Sequence, residues 1–284
     1  MAEGAVVASE LVPELEVVSP GTCERLLPDA ADGEVEVWAG NDGFEAYGYS
    51  AGGQFWAHVP GAASFRFGVE HSSVVAIPEQ DVPTQLVEDT YFRNVLPLVI
   101  QLRGHEVLHA SAVDLGDGLV VFCGISGAGK STFAYGLSRR GYAVWADDAV
   151  ALDIDEASVT ALQVPFRLGL RPDASRFFGR QSSMVEVEIV ARSPLAAVVI
   201  LEPADGPNSH AVLITSLEEP TAAFAALLPH AYYFRLSDTS RKALMLDRYL
   251  RLASSVPTFD LRYRPGFDTI NVVLDEIEAR VLAA

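Results

Sequence analysis

The sequence predicts an α/β protein with a P-loop core on a mixed sheet, preceded by a β-rich N-terminal part. Three observations carry this. The run "GISGAGKST", Gly124 to Thr132, sits between an apolar β-prone stretch and a helical one. From Glu14 to about Glu79, short β-prone runs are punctuated by Gly, Pro and Asp, as in an antiparallel sheet. After Gly104, strand-like and helix-like segments alternate, with some strands joined by turns short enough to require antiparallel neighbours.

Taken in order, "EVEVWAG", "GFEAYGYSAGG", "QFWAHV", "SFRFGV" and "SVVAI" read as the N-terminal strands. "VPTQLVEDTYFRNVLPLVIQLRG" has apolar residues at helical spacing through Leu86, Tyr91, Val95 and Leu98. Pro97 should bend this helix or restart it. "EVLHASAVDL" and "GLVVFCG" form a hairpin through "LGDG". A helix is expected from Ser131 to Arg140, ended by Gly141. "YAVWA", "AVALDI", "LAAVVILEP", "HAVLITS" and "TFDLRYR" read as strands. "EEPTAAFAALLPH", "TSRKALMLDRYLRLASS" and "FDTINVVLDEIEARVLA" read as helices. The expected organisation is a β-rich domain over 1–90 and a P-loop domain over 91–284.

Composition narrows the function. With 284 residues, half of them hydrophobic, the chain can bury one large core or two modest ones. Lys and Arg total 20 against 38 Asp and Glu, a formal charge of −18. Such a chain repels a phosphate backbone, so no nucleic-acid partner is expected, whereas a basic peptide is easily accommodated. No basic, apolar leader and no stretch of membrane-spanning length stand in the sequence, so no membrane partner and a cytoplasmic location are expected. Cys23 and Cys123 have neither metal-type nor disulfide-framework spacing, and Cys123, in an apolar run, reads as a buried thiol.

The loop carries the chemistry. Gly124, Gly129, Lys130 and Ser131 fit G-x-x-x-x-G-K-S/T, with a strand leading in and a helix leading out. Gly124, Gly127 and Gly129 let backbone N–H groups turn inward around phosphate oxygens, and the helix start adds positive potential. The nucleotide contacts are thus expected from Gly124, Ile125, Ser126, Gly127, Ala128, Gly129, Lys130, Ser131 and Thr132. Lys130 reaches the β and γ phosphates, and the Ser131 hydroxyl can ligate Mg²⁺. Only one short helix separates the loop from "WADD", Asp147 and Asp148. This spacing argues against a transporter, helicase or switch GTPase and favours a carboxylate set beside the γ-phosphate. Adjacent strand residues face opposite sides, so one acid should face the nucleotide while the other is structural, unless the strand ends or bulges there. If Gly116 and Asp117 make a two-residue turn, the hairpin register places His109 opposite Gly124, at the mouth of the loop.

The block from His109 to Val150 resembles the catalytic core of HPr kinase/phosphorylase, with its strand histidine, its G-x-S-G-x-G-K-S loop and its A-D-D at matching spacing. A looser pattern, through "RGHEVLHASAV" and "SRKALMLDRYLRLASSVPTFDLRYRPGFDTI", is similar to HPr-kinase-related proteins found beside peptide-modification genes, including lasso peptide kinases. The resemblance implies the fold shared with phosphoenolpyruvate carboxykinases. It implies Asp148 as the base that takes a proton from a serine, with His109 assisting. It assigns phosphate and Mg²⁺ to Lys130 and Ser131, and gives Asp147 a supporting part in holding the metal or the loop. Arg167, Arg171 and Asp173 in "VPFRLGLRPD" lie where a further family segment would fall.

The leading expectation is therefore a kinase using ATP and Mg²⁺, with a peptide or protein hydroxyl as acceptor. A small-molecule hydroxyl kinase and a nucleotide-responsive binding module with little turnover are the alternatives. The β-rich part could add a peptide strand or serve as structural cover, and a homo-oligomer is compatible with the sequence.

Overall fold

The computed structural model describes residues 6–7, 11–19, 34–39, 45–51, 53–179, 183–185, 189–204, 212–233 and 238–282. Cys23 lies outside them. The chain forms two compact units, one comprising 1–104 with 233–235, the other 105–232 with 236–284. The boundary therefore falls after Gly104 rather than at 90/91. The helical stretch after Pro83 is tied to the first unit: Tyr91 Oη donates to Pro13 O at 2.6 Å and Arg103 Nη2 to His71 O at 2.7 Å.

In the first unit, β1 (Glu14–Val17), β2 (Glu34–Ala39), β3 (Glu45–Ala51), β4 (Gln54–Val59), β5 (Ala63–Phe67) and β6 (Ser73–Pro78) form one sheet in the order β1-β6-β5-β4-β3-β2. All neighbours are antiparallel except β1 and β6. β5 shows the expected period of two: Ala63, Phe65 and Phe67 are buried while Ser64 and Arg66 are half-buried. The following helix is split into α1 (Thr84–Thr90), a π turn (Tyr91–Val95) and α2 (Leu96–Leu102). Pro97 is the cause. It has no N–H to donate, and its ring crowds the carbonyl four residues back, so the preceding turn widens.

In the second unit, nine strands among the described residues share a mixed sheet. Its path runs β10 (Ala143–Ala146), β8 (Ala110–Asp114), β9 (Leu119–Cys123), β15 (Arg192–Pro203), β12 (Val159–Leu162), β11 (Val150–Ile154), β7 (Glu106–Leu108). β17 (Thr258–Tyr263) also pairs with β15, and β16 (Leu213–Ser216) with β17. β9–β15 and β15–β17 are parallel; the other pairs are antiparallel. A separate hairpin joins β13 (Phe166–Leu168) to β14 (Ser183–Val185).

β9 explains why "LVVFC" is an unbroken apolar run. Leu119, Val121 and Cys123 enter one core, Val120 and Phe122 the other, so both faces of the strand are covered. α3 (Lys130–Ser138) and α7 (Ile270–Ile277) line the second core with Phe133, Leu137, Val273 and Leu274. α5 (Pro220–Leu227) and α6 (Thr239–Ser255) close the first with Leu227, Tyr249 and Leu252. α4 (Pro172–Phe178), in the segment left without secondary structure by the sequence, follows β13. α3 stops at Ser138, two residues before its expected end, and Gly141 takes φ +109° where the chain reverses. α6 is fixed to β7 by the fully buried Glu106, which accepts from Arg241 at 2.7 and 2.8 Å and from Arg248 at 3.0 Å. No helix among the described residues is long and apolar enough to cross a membrane.

Candidate functional site

β9 ends at Cys123, and Gly124 opens the loop where no side chain fits. A Cβ there would stand 2.9 Å from Ala128 Cβ and 3.1 Å from Leu201 Cβ. Gly124→Ala is therefore expected to push the loop away from β15 and to cost about 1–3 kcal/mol of unfolding free energy. Urea denaturation of the two proteins checks this, and equal midpoints would contradict it. Gly129 caps α3 at φ +89°, in the left-handed region that suits glycine. Ile125, Ser126 and Gly127 form an exposed crest between buried Gly124 and buried Ala128. Ala128 N–H donates to Ile125 O at 3.0 Å, and Ala128 O accepts from Tyr263 Oη at the end of β17. A helix start leaves its first N–H groups without intrahelical acceptors, and here these belong to Lys130, Ser131 and Thr132.

Lys130 is buried, and its Nζ donates to Gly124 O at 2.9 Å and Ile125 O at 3.4 Å. Burial lowers its pKa; Asp148, then Cys123 and Asp147, oppose that, and Arg171 adds to it. The ammonium thus sits inside the loop with both acids in its field.

The acids reach it because β10 stops. Its register with β8 shifts between Val144 and Ala146, and the strand ends at Ala146. Asp147 lies just past that end, so strict strand alternation no longer governs the pair. Its Oδ1 accepts from Ser111 Oγ at 2.6 Å and its Oδ2 from Gly169 N–H at 3.0 Å, and the Ser131 hydroxyl is also a partner. Burial first, and the neighbouring Asp148 second, raise its pKa from 3.8 to about 6 against these hydrogen bonds. Asp148 turns the chain at φ +64°, an uncommon conformation for a residue other than glycine, though Asp and Asn enter it more readily than most.

The elevated carboxyl predicts a pH effect. The folded protein holds the Asp147 proton more tightly than the unfolded chain, so the ionised form costs stability above about pH 6, and the cost fades as pH falls from 6 toward 3.8. Relative to Asp147→Asn, the wild type should gain on the order of 1–3 kcal/mol on acidification through this window. Unfolding curves of both proteins at several pH values measure it, and parallel pH dependences would contradict it.

His109 stands at the junction of β7 and β8. The two-residue turn does set the hairpin register, with Leu115 N–H donating to Gly118 O and Cys123 facing Ala110. The ladder ends at that pair, one short of His109 and Gly124. His109 N–H instead donates to His230 O at 2.7 Å, and its Nδ1 lies 3.4 Å from Tyr232 Oη. Of the three residues in "VPFRLGLRPD", Arg171 reaches the loop, its Nη2 donating to Ser126 Oγ at 3.1 Å. Asp173 pairs with Arg176. Arg167 lies on β13.

Sequence reasoning missed His230. It ends a 3₁₀ turn, Leu228–His230, and burial together with the fields of Lys130 and His109 lowers its pKa to about 4. No local motif marks it; "LLPHAY" reads as the tail of a helix, and its place beside His109, whose N–H donates to its carbonyl, comes from the pairing of this turn with β7.

The fold and site define a mixed α/β protein with a glycine-rich strand–loop–helix turn, a buried lysine and two acids converging on it. No protein-family model matches the chain, and no curated protein matches it in sequence. Among solved structures, the chain is similar to the Hpr(Ser) kinase/phosphatase from Coxiella burnetii. The two are 12% identical, with 62% of this chain and 91% of that chain covered and a TM-score of 0.31.

Proposed function

We propose that the protein is an ATP-dependent kinase that transfers the γ-phosphate to a hydroxyl, foremost a serine, of a peptide or protein. The observation that supports this best is Lys130 held inside the glycine-rich loop with Asp148 first among the charges acting on it. An acid there is beside the phosphate that Lys130 would hold, where transfer needs a proton acceptor.

Each group has a task in this reading. Lys130 and the first N–H groups of α3 bind the phosphates, and Arg171 adds a guanidinium at the crest. The acceptor oxygen attacks the γ-phosphorus, the bond to the β-phosphate oxygen breaks, ADP leaves, and Asp148 takes the hydroxyl proton. His109 orients Asp148 or steadies the phosphate.

Mg²⁺ suits the donor set. Among the described residues no group of three or more His, Cys, Asp or Glu is placed to hold a metal. Mg²⁺ takes most of its ligands from water and nucleotide phosphates and needs one or two protein oxygens. Ser131 Oγ and Asp147, already hydrogen-bonded to each other, would supply them. When bound, the ion supplies neutralisation of the phosphate charge.

The test is incubation with γ-labelled ATP, Mg²⁺ and serine-containing peptides, with and without a chelator. Label on peptide, lost with the chelator, is the expected result. Label only on free serine or a sugar would indicate the small-molecule kinase. Nucleotide binding with no transfer to any acceptor would indicate the binding module.

A further inference from the structure

Four aromatic rings meet where three segments in contact with the phosphate loop converge. Arg171 Nη2 donates to Ser126 Oγ at 3.1 Å, and the guanidinium lies over Gly127, where a Cβ would stand 3.2 Å from Nη1. From Arg171 the chain enters α4, and Phe177 stands six residues on, roughly 9 Å along a helix. Tyr263 Oη donates to Ala128 O and lies 3.2 Å from the Cβ position of Gly129. Phe267 follows four residues later, at most about 14 Å of chain away. Tyr135 lies on α3 itself, five residues after Lys130 and roughly 7 Å from the helix start. Phe177 and Phe267 stack at 4.6 Å between centroids with planes 17° apart. Phe178 meets Phe177 edge-on at 4.9 Å, and Tyr135 meets Phe178 edge-on at 4.8 Å. The turn that carries Phe267 is itself tied down, with Thr269 Oγ1 donating to Arg264 O and to Gly266 O at 3.0 Å each.

Tyr135 is buried and Phe178 and Phe267 are half-buried, yet 48% of Phe177 stays exposed. A single exposed apolar side chain is ordinary, but this one ends a braced aromatic row that begins on the helix of the loop. Phe267 takes one face of the Phe177 ring, and an aromatic face accepts a second flat ring in an offset stack. The flat part of a nucleotide is its base, which the ribose and α-phosphate hold away from the terminal phosphates by a length of the same order as that between rings and loop. The base is favoured over an acceptor peptide because it is tethered to the phosphates the loop would hold. Resting on the loop as the phosphate site, we propose that the open face of Phe177, backed by Phe267, is where the base of the bound nucleotide stacks. Recognition is by the π-face of the base, so the site takes adenine and guanine alike.

Calorimetry with Mg·ATP and with Mg·tripolyphosphate, which has the phosphate chain without the base, separates the rings from the loop. Phe177→Ala should bind Mg·ATP about tenfold more weakly, the usual effect of losing one base stacked on an aromatic ring, and Mg·GTP likewise. Its affinity for Mg·tripolyphosphate should equal that of the wild type. Phe177→Leu, apolar but without a ring face, should lose nearly as much, and Phe177→Trp should keep the affinity. Unchanged Mg·ATP affinity in Phe177→Ala, or equal losses for both ligands, overturns the proposal while leaving the phosphate loop intact. So does a variant that holds Mg·ATP normally while KM for the acceptor peptide rises, which would give the rings to the peptide. If the wild type binds neither ligand, the loop reading and this one fall together. Should Phe177→Ala not fold, Phe177→Trp decides. Its added indole emission should be quenched by Mg·ATP and not by Mg·tripolyphosphate, and a signal indifferent to the base overturns the proposal.

Discussion

Lys130→Ala is expected to bind Mg·ATP roughly 10- to 100-fold more weakly, the loss of a charged hydrogen-bonding partner of about 1.5–3 kcal/mol. Transfer should fall further, by about 10²–10³ or more, since charge on the migrating phosphoryl group builds where the ammonium stood. The fold should survive. Lys130 is a buried cation whose Nζ donates to two carbonyls of its own loop, Gly124 O and Ile125 O, and its burial disfavours the charge. Removing it deletes a desolvated charge along with two hydrogen bonds, so the unfolding midpoint should move little. Calorimetry with Mg·ATP and a labelled-phosphate assay measure the two losses separately. Wild-type affinity and turnover in the variant would end the phosphate-loop reading.

The second large effect is expected at Asp148. Its backbone stands at φ +64°, where most side chains are strained. Asparagine enters that region about as readily as aspartate, so Asp148→Asn keeps the turn and deletes only the base. ATP binding should persist while transfer drops by about 10²-fold or more. Asp147→Asn should behave differently, through Mg²⁺ dependence and through the pH dependence of stability, because that carboxyl is buried among Ser111, Gly169 and Ser131. Equal, mild losses from both variants would mean two acids at a strand end and no base. Asp148→Ala is the less clean comparison, since it removes the carboxyl and strains the backbone together.

These residues show what local sequence can encode. The loop was legible because its requirements are local: glycine where a neighbour leaves no room, glycine at the helix cap, lysine one residue on. The hairpin register was legible because a two-residue turn fixes pairing by counting. Pro97 announced a break in the helix, though not that a π turn would absorb it. The relation between Asp147 and Asp148 was only half legible. Alternation along a strand separates them, and the shift at Trp145 that ends the strand leaves no mark in "VWADD". His230 was beyond local reading in another way, and Arg171 was marked only by the family resemblance, not by any local pattern. His230 comes beside His109 because its turn pairs with β7, and Arg171 reaches Ser126 because it follows the β13 strand; both are contacts between segments distant in sequence. The hairpin β13–β14 went unread because its strands are three residues long and carry little pattern.

The Tyr263–Ala128 hydrogen bond has a consequence for the order of events at the ribosome. The crest emerges early, but β15, which gives β9 a parallel neighbour, and Tyr263, which holds Ala128, are made much later. Parallel pairings between such distant segments form slowly, after the intervening chain has been ordered. A nascent chain carrying the complete "GISGAGKST" should therefore have no formed loop, and nucleotide affinity should appear in one step once β17 has docked. Capture of stalled chains of increasing length on immobilised ATP would trace that step. For this protein, nucleotide binding would then report that a distant strand has found its place.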